Sequence, residues 1–158
     1  MSSDWLRSTE KADSLLRVVP DTNVYVSAFN FGGVPFEILT FAIRQEITLF
    51  ISPAILQEVE GVLLRKFRWS AAEILETLTS VRGFARSVSP HEKIDLIKED
   101  EPDNRILECA QAARAAVIVT GDRHLRQLGK FRDIAIMSPR EFVNAYETLR
   151  HAAADSAD

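Results

Sequence analysis

The chain has 158 residues, 46% of them hydrophobic, and carries a net charge of -4, with 19 Lys and Arg against 23 Asp and Glu. That length suits one domain whose core buries roughly two thirds of the unfolded surface, and the acidic balance excludes a protein held on nucleic acid mainly by a basic surface, because phosphate neutralisation by Lys and Arg supplies most of such affinity. The single cysteine, Cys109, excludes an internal disulfide, no apolar run reaches the ~20 residues of a membrane span, and residues 1–16 lack a continuous apolar signal stretch, so a reducing, cytoplasmic setting with no membrane is expected.

Residues 1–16 and 150–158 read as weakly ordered tails around a domain spanning 17–149. The first element is Arg17-Val18-Val19-Pro20, four residues of strand character ended by a proline that has no N–H to give a ladder. Asp21 follows, and Thr22-Asn23 opens a helix through Val24, Val26 and Phe29. Asp21 is a good helix cap by residue type, and it is equally a carboxylate at the mouth of a sheet. Asn30-Phe31-Gly32-Gly33 breaks this helix, and a second, beginning near Pro35, runs to about Arg44 with a buried stripe of Ile38, Leu39, Ala42 and Ile43.

Residues 47–51 form a short, apolar, β-branched second strand. Ser52-Pro53 then caps a helix with the stripe Ile55, Leu56, Val59, Val62 and Leu63, which Glu58 and Glu60 border on opposite sides. Ser70 and Glu73 make a capping box for a further helix, residues 84–88 a third strand, and residues 98–102 a polar loop before a helix marked by Ile106, Leu107, Ala110 and Ala113. Residues 116–120 are the clearest buried strand, running through Gly121 into Asp122 and so repeating the opening pattern. A short helix ends at Gly129, a fifth strand covers 134–137, and Ser138-Pro139-Arg140-Glu141 caps the last helix.

This alternation predicts an α/β domain with a parallel sheet, helices on both faces and right-handed crossovers. Ligands of such sheets bind beyond the carboxyl ends of the strands where the strand order reverses. Asp21 and Asp122 stand at two such ends, and if their strands are neighbours, about 5 Å apart, the carboxylates can share one ion. Asp103 opens the helix leading into the fourth strand, and its plain reading, like that of Asp122, is an N-cap. Glu58 lies too deep in its helix for dipole complementation, and its plain reading is a solvated flank. Four carboxylates meeting without a cation would repel, and a divalent ion resolves that conflict. Oxygen ligation with no His or Cys at metal spacing points to Mg2+ or Mn2+ rather than zinc, and to phosphoryl chemistry in which metal-activated water is the nucleophile. Two basic clusters, Arg65-Lys66 with Arg68 and Arg123-His124 with Arg126, read as solvated helix ends or as local phosphate-binding patches.

Five segments together carry a resemblance: Val-Val-Pro-Asp21-Thr22-Asn23-Val-Tyr-Val-Ser, Ser52-Pro-Ala-Ile-Leu-Gln-Glu58-Val, Asp100-Glu-Pro-Asp103-Asn-Arg-Ile-Leu-Glu, Val-Thr120-Gly-Asp122-Arg-His-Leu, and Ser138-Pro-Arg-Glu-Phe. In this order and spacing the chain resembles the PIN-domain family, and within it the toxin components of type II toxin-antitoxin pairs, over about residues 17–149. The resemblance implies a PIN-like three-layer α/β/α sandwich around a five-stranded parallel sheet of order 3-2-1-4-5, with the first and fourth strands side by side. It implies a metal-dependent endoribonuclease acting on single-stranded or structured RNA, restrained by a small antitoxin and able to form a homodimer. Carried over by position, the catalytic and metal-binding acids are Asp21, Glu58, Asp103 and Asp122, which decides Glu58 over Glu60, with Asn23 and Thr120 as polar support. Where relatives often carry a further acid after the third, this chain has Asn104, a polar neighbour that sets a tightly held second metal in question. RNA contacts are expected from Arg65, Lys66, Arg68, Arg123 and Arg126. The alternative is a PIN module that binds RNA or a partner without cutting. A receiver-like signalling domain, which also has an acidic pocket at a switch point, would need a Lys just after its last strand, where this chain has Ser138-Pro139-Arg140.

Overall fold

In a computed structural model, residues 15–157 are described; Trp5 and the rest of the predicted N-terminal tail up to residue 14 lie outside them. Strand β1 (Arg17–Pro20) leads into α1 (Thr22–Phe31) and α2 (Gly33–Ile43), then β2 (Thr48–Ile51), α3 (Pro53–Arg65), α4 (Ala71–Phe84) and β3 (Ala85–Ser87). After a long loop come α5 (Glu101–Ala113), β4 (Val117–Val119), α6 (Arg123–Leu128), β5 (Lys130–Phe131), β6 (Ile134–Met137) and α7 (Pro139–Ala157). The sheet order is β3-β2-β1-β4-β6-β5, and every pairing is parallel except β5 with β6. The expected order and the adjacency of the first and fourth strands are present, with helices flanking a mostly parallel sheet. The sixth strand is an addition. Its two residues are too short to leave a period, and they fold back on β6 through a turn in which Arg132 takes a left-handed φ of 55°.

Apolar runs explain the centre. Val18, Val19, Leu49, Ile118 and Val119 are all fully or almost fully buried, as strands covered on both faces must be. Each such side chain contributes about 1.5–3 kcal/mol through burial, so the middle strands form a rigid base for whatever their ends carry. The caps follow the residue types. Ser52 accepts from the Ile55 amide with Pro53 beside it, and Ser70 and Glu73 form the reciprocal capping box. Between α1 and α2 the chain turns through 103° at Gly32 and Gly33, whose φ values of 70° and 65° only glycine adopts without strain. Among the described residues no single helix is long and apolar enough to cross a membrane.

One boundary differs. Residues 150–157, read as a tail, continue α7 as helix, which their alanines favour although residues 151–155 remain exposed.

Candidate active site

The acids gather where β1 and β4 end. Pro20 pairs with Val119 in parallel register, so Asp21 and Thr120 leave adjacent strands side by side. Asp21 is both cap and site residue: its Oδ1 accepts from the Val24 amide at 3.0 Å, and its Oδ2 accepts from the Thr120 hydroxyl. The same Thr120 oxygen accepts from the Asp122 amide at 2.9 Å. One buried hydroxyl therefore ties the first acid to the last. Asp122 caps α6 by accepting from the Leu125 amide at 3.1 Å through Oδ1, the oxygen that also faces His124.

Asp103 is not a cap. The residue before α5 is Asp100, so Asp103 falls in the first helical turn, facing inward and only 7% exposed. The helix starts three residues earlier than the cap reading requires because Pro102 is well suited to the opening positions. Asp103 Oδ2 is buried with no hydrogen-bond partner. His124 enters from the first turn of α6, with Nδ1 at 3.9 Å from Asp103 Oδ2 and 3.9 Å from Asp122 Oδ1, and it too is buried and unpaired. Asp100, Asp103, Asp122 and His124 each offer a ligand atom within 4.8 Å of the others.

Burial works against charge here. It pushes Asp21 up to about 6 despite hydrogen bonds from Thr120, Val24 and the Asn23 amide, and the charge of Asp122 adds to the rise. Burial, then the close carboxylate of Asp122, then the charges of Asp100 and Asp21, hold Asp103 well above the usual carboxylate range. Glu58, half-buried on α3, is raised by burial and by the charge of Asp100, while the nearby Thr22 hydroxyl favours its ionised form. Asp100 thus lies close enough to act on both Glu58 and Asp103. A divalent cation fits this donor set: it would relieve the crowding and supply a partner for Asp103 Oδ2 and His124 Nδ1.

Set against the expected residues, Asp103 and Asp122 lie within ligand reach of each other, Asp21 is tied to Asp122 through Thr120, and Glu58 stands outside that group, next to Thr22 and within the electrostatic influence of Asp100, whereas Glu60 is exposed. Asn23 gives Asp21 only its backbone amide, and its side chain is exposed. Asn104 faces elsewhere. It accepts from the Leu96 and Ile97 amides at 3.0 and 2.8 Å and donates to the Ile97 carbonyl at 2.7 Å, clamping the loop before α5. Asp100 and His124 were not among the expected acids and supports, and His124 corrects the expectation that no histidine stands at metal spacing. The Asp100-to-Asp103 step of three, which one helical turn brings together, was the available signal. Of the basic residues, Arg65, Lys66, Arg68 and Arg123 are exposed, while Arg126 pairs with Glu141 at 3.2 Å.

Residues 17–124 match the model of the PIN domain. Over 152 aligned residues, 87% of this chain and 97% of the relative, the sequence is 31% identical to the uncharacterized protein MJ1680 of Methanocaldococcus jannaschii. The chain belongs to the PIN-domain family. Among solved structures it is similar to VapBC2 from Rickettsia felis bound to a DNA fragment from their promoter, with TM-score 0.55 and 17% identity over 77% of this chain and 97% of that one. It is also similar to the T. brucei RRP44 PIN domain, with TM-score 0.55 and 14% identity over 92% of this chain and 88% of that one. PIN domains are generally nucleases, and the family and the acid cluster together support a nuclease module.

Proposed function

We propose that the domain over residues 17–149 is a metal-dependent endoribonuclease, the toxin of a toxin-antitoxin pair acting in the cytoplasm. The observation that carries the reading is the meeting of carboxylates from the starts of α5 and α6 around a buried, unpaired Asp103 oxygen, an arrangement costly to a fold that has no use for a cation there. Asp21, Glu58, Asp103 and Asp122 are the proposed holders of Mg2+ or Mn2+. When bound, the ion supplies Lewis acidity at a phosphodiester and lowers the pKa of an attacking water.

The chain's own residues do the rest. Thr120 fixes the spacing of Asp21 and Asp122 and orients Asp21 Oδ2. Asp21 holds a proton up to about pH 6 in the metal-free protein, so ion binding displaces protons and strengthens as the pH rises past that point. Arg65, Lys66, Arg68 and Arg123 are exposed cations suited to an RNA backbone. Arg126 is the weakest of the five, since Glu141 already occupies it. A small antitoxin is the proposed partner, on the analogy of the VapBC2 assembly, and a homodimer is proposed from the family resemblance.

The test is single-turnover cleavage of labelled single-stranded and structured RNA by protein freed of any antitoxin, with Mn2+ or with EDTA. Cutting in Mn2+ alone, lost in Asp122→Asn, is the expected result. No metal-dependent cutting, or equal cutting by Asp122→Asn, overturns it and leaves a PIN module that binds RNA or a partner without cutting.

A further inference from the structure

We propose that His124 is itself a metal ligand, through Nδ1, and that with Asp100, Asp103 and Asp122 it makes a mixed nitrogen and oxygen site that prefers Mn2+ or a later first-row ion to Mg2+. This rests on the reading of the cluster as a metal site and extends it to two residues, His124 and Asp100, that lie outside the four proposed acids.

The geometry argues for ligation over a hydrogen bond or a simple ion pair. At 3.9 Å from Asp103 Oδ2 and from Asp122 Oδ1, His124 Nδ1 is too far from either oxygen to donate to it. Yet it is equidistant from the two, buried and unpaired, and one of those oxygens is also buried and unpaired. Atoms ligating one ion at about 2.0–2.2 Å cannot touch each other and are held roughly 3–4.4 Å apart, so spacing too long for hydrogen bonds and too short for indifference is what a shared cation requires. Four ligand atoms within 4.8 Å of one another need only small adjustments to meet that limit. Asp122 and His124 are placed by the same rigid feature, the cap and first turn of α6, and Asp100 and Asp103 by the first turn of α5.

Donor chemistry then sets the preference. Mg2+ takes oxygen and keeps much of its water, whereas an imidazole suits Mn2+ only moderately and Co2+ and Zn2+ increasingly well. The competing account is that protonated His124 stands in for a cation among the acids. In that case its removal would leave Mg2+ and Mn2+ binding equally affected, or tighten both.

The experiment uses the full chain without RNA, so that absence of cleavage does not decide it. Pulsed electron paramagnetic resonance on the Mn2+-loaded protein is expected to show coupling to a directly bound nitrogen, absent in His124→Ala. Titrations with Mn2+, Co2+ and Mg2+ are expected to show Mn2+ and Co2+ weakened roughly tenfold or more by His124→Ala, with Mg2+ nearly unchanged. Bound Mn2+ in the wild type without nitrogen coupling overturns the proposal, needs no variant to fold, and leaves the nuclease reading standing. An equal change for Mg2+ and Mn2+ in His124→Ala also overturns it. Failure of Mn2+ to bind at all overturns this proposal and the metal-dependent reading together.

Discussion

Asp103 and Asn104 are consecutive, polar and buried, at 7% and 0% exposure, yet the first turn of α5 sends them into opposite surroundings. Asn104 has amide and carbonyl partners at 2.7 to 3.0 Å and closes a loop. Asp103 has an oxygen with no partner, beside other acids and a histidine. A satisfied buried polar group holds a fold together, because removing it strands its partners. An unsatisfied one costs stability until water or a ligand supplies its partner. The two sides of one helical turn thus separate a residue that holds the fold together from one proposed to hold an ion.

The contrast breaks most visibly in rate. Asp122→Asn and Glu58→Gln are expected to lower single-turnover RNA cleavage by on the order of a hundredfold or more while the fold is retained. Glu60→Gln, on an exposed position, is expected to be nearly silent. Equal losses from Glu58→Gln and Glu60→Gln would show that α3 presents a different face to RNA and ion.

Next comes the stability of the clamp. Asn104→Ala leaves two amides and a carbonyl without their partner, an expected cost of about 4 kcal/mol from roughly 1–3 per stranded group. Denaturant melts measure it, and a loss under 1 kcal/mol would mean that the loop before α5 rehydrates freely.

The acid side should respond with the opposite sign. Asp21 gives up its proton near 3.8 when unfolded but only at about 6 when folded, so between those values the native state binds more protons. The contribution of Asp21 to the stability of the metal-free protein is therefore fully present below pH 4, falls as pH rises through that window and is lost above it, by about 3 kcal/mol in all. Asp21→Asn is expected to flatten this dependence and to be the more stable protein in EDTA at pH 8. A pH-independent difference between the two would remove Asp21 as its source.

The smallest effect concerns the surface cations. Arg65→Ala with Lys66→Ala is expected to lower the salt slope of RNA binding by up to about 2 and to change stability by under about 0.5 kcal/mol. An unchanged slope in EDTA would place the RNA elsewhere.

Much of this contrast could be read before the structure, and the missing part has a physical cause. The strands at 17–20 and 116–120, the caps at Ser52 and Ser70 and the acids at strand ends leave strong local marks, because burial on both faces selects apolar runs and helix starts select few residue types. Which way a helical residue faces within the first turn does not leave such a mark. Asp103 therefore read as a cap and Asn104 as its companion at the site, whereas one step of about 100° around the helix divides them. His124 read as part of a basic cluster for a similar reason, since only the approach of the start of α6 to the start of α5 brings Asp103 beside it.

The hydroxyl of Thr120, bonded to Asp21 on one side and to the Asp122 amide on the other, makes the site a readout of strand alignment. Parallel pairing of Pro20 with Val119 sets the distance it spans, so a slip of one residue between β1 and β4 would turn Thr120 to the opposite face and part the two acids at a stroke. If the acids hold a cation as proposed, its affinity is quantised by register. A variant whose sheet is misaligned should not bind its ion a little less well; it should belong to a separate population that has lost the site, visible as two species and not as a graded decline.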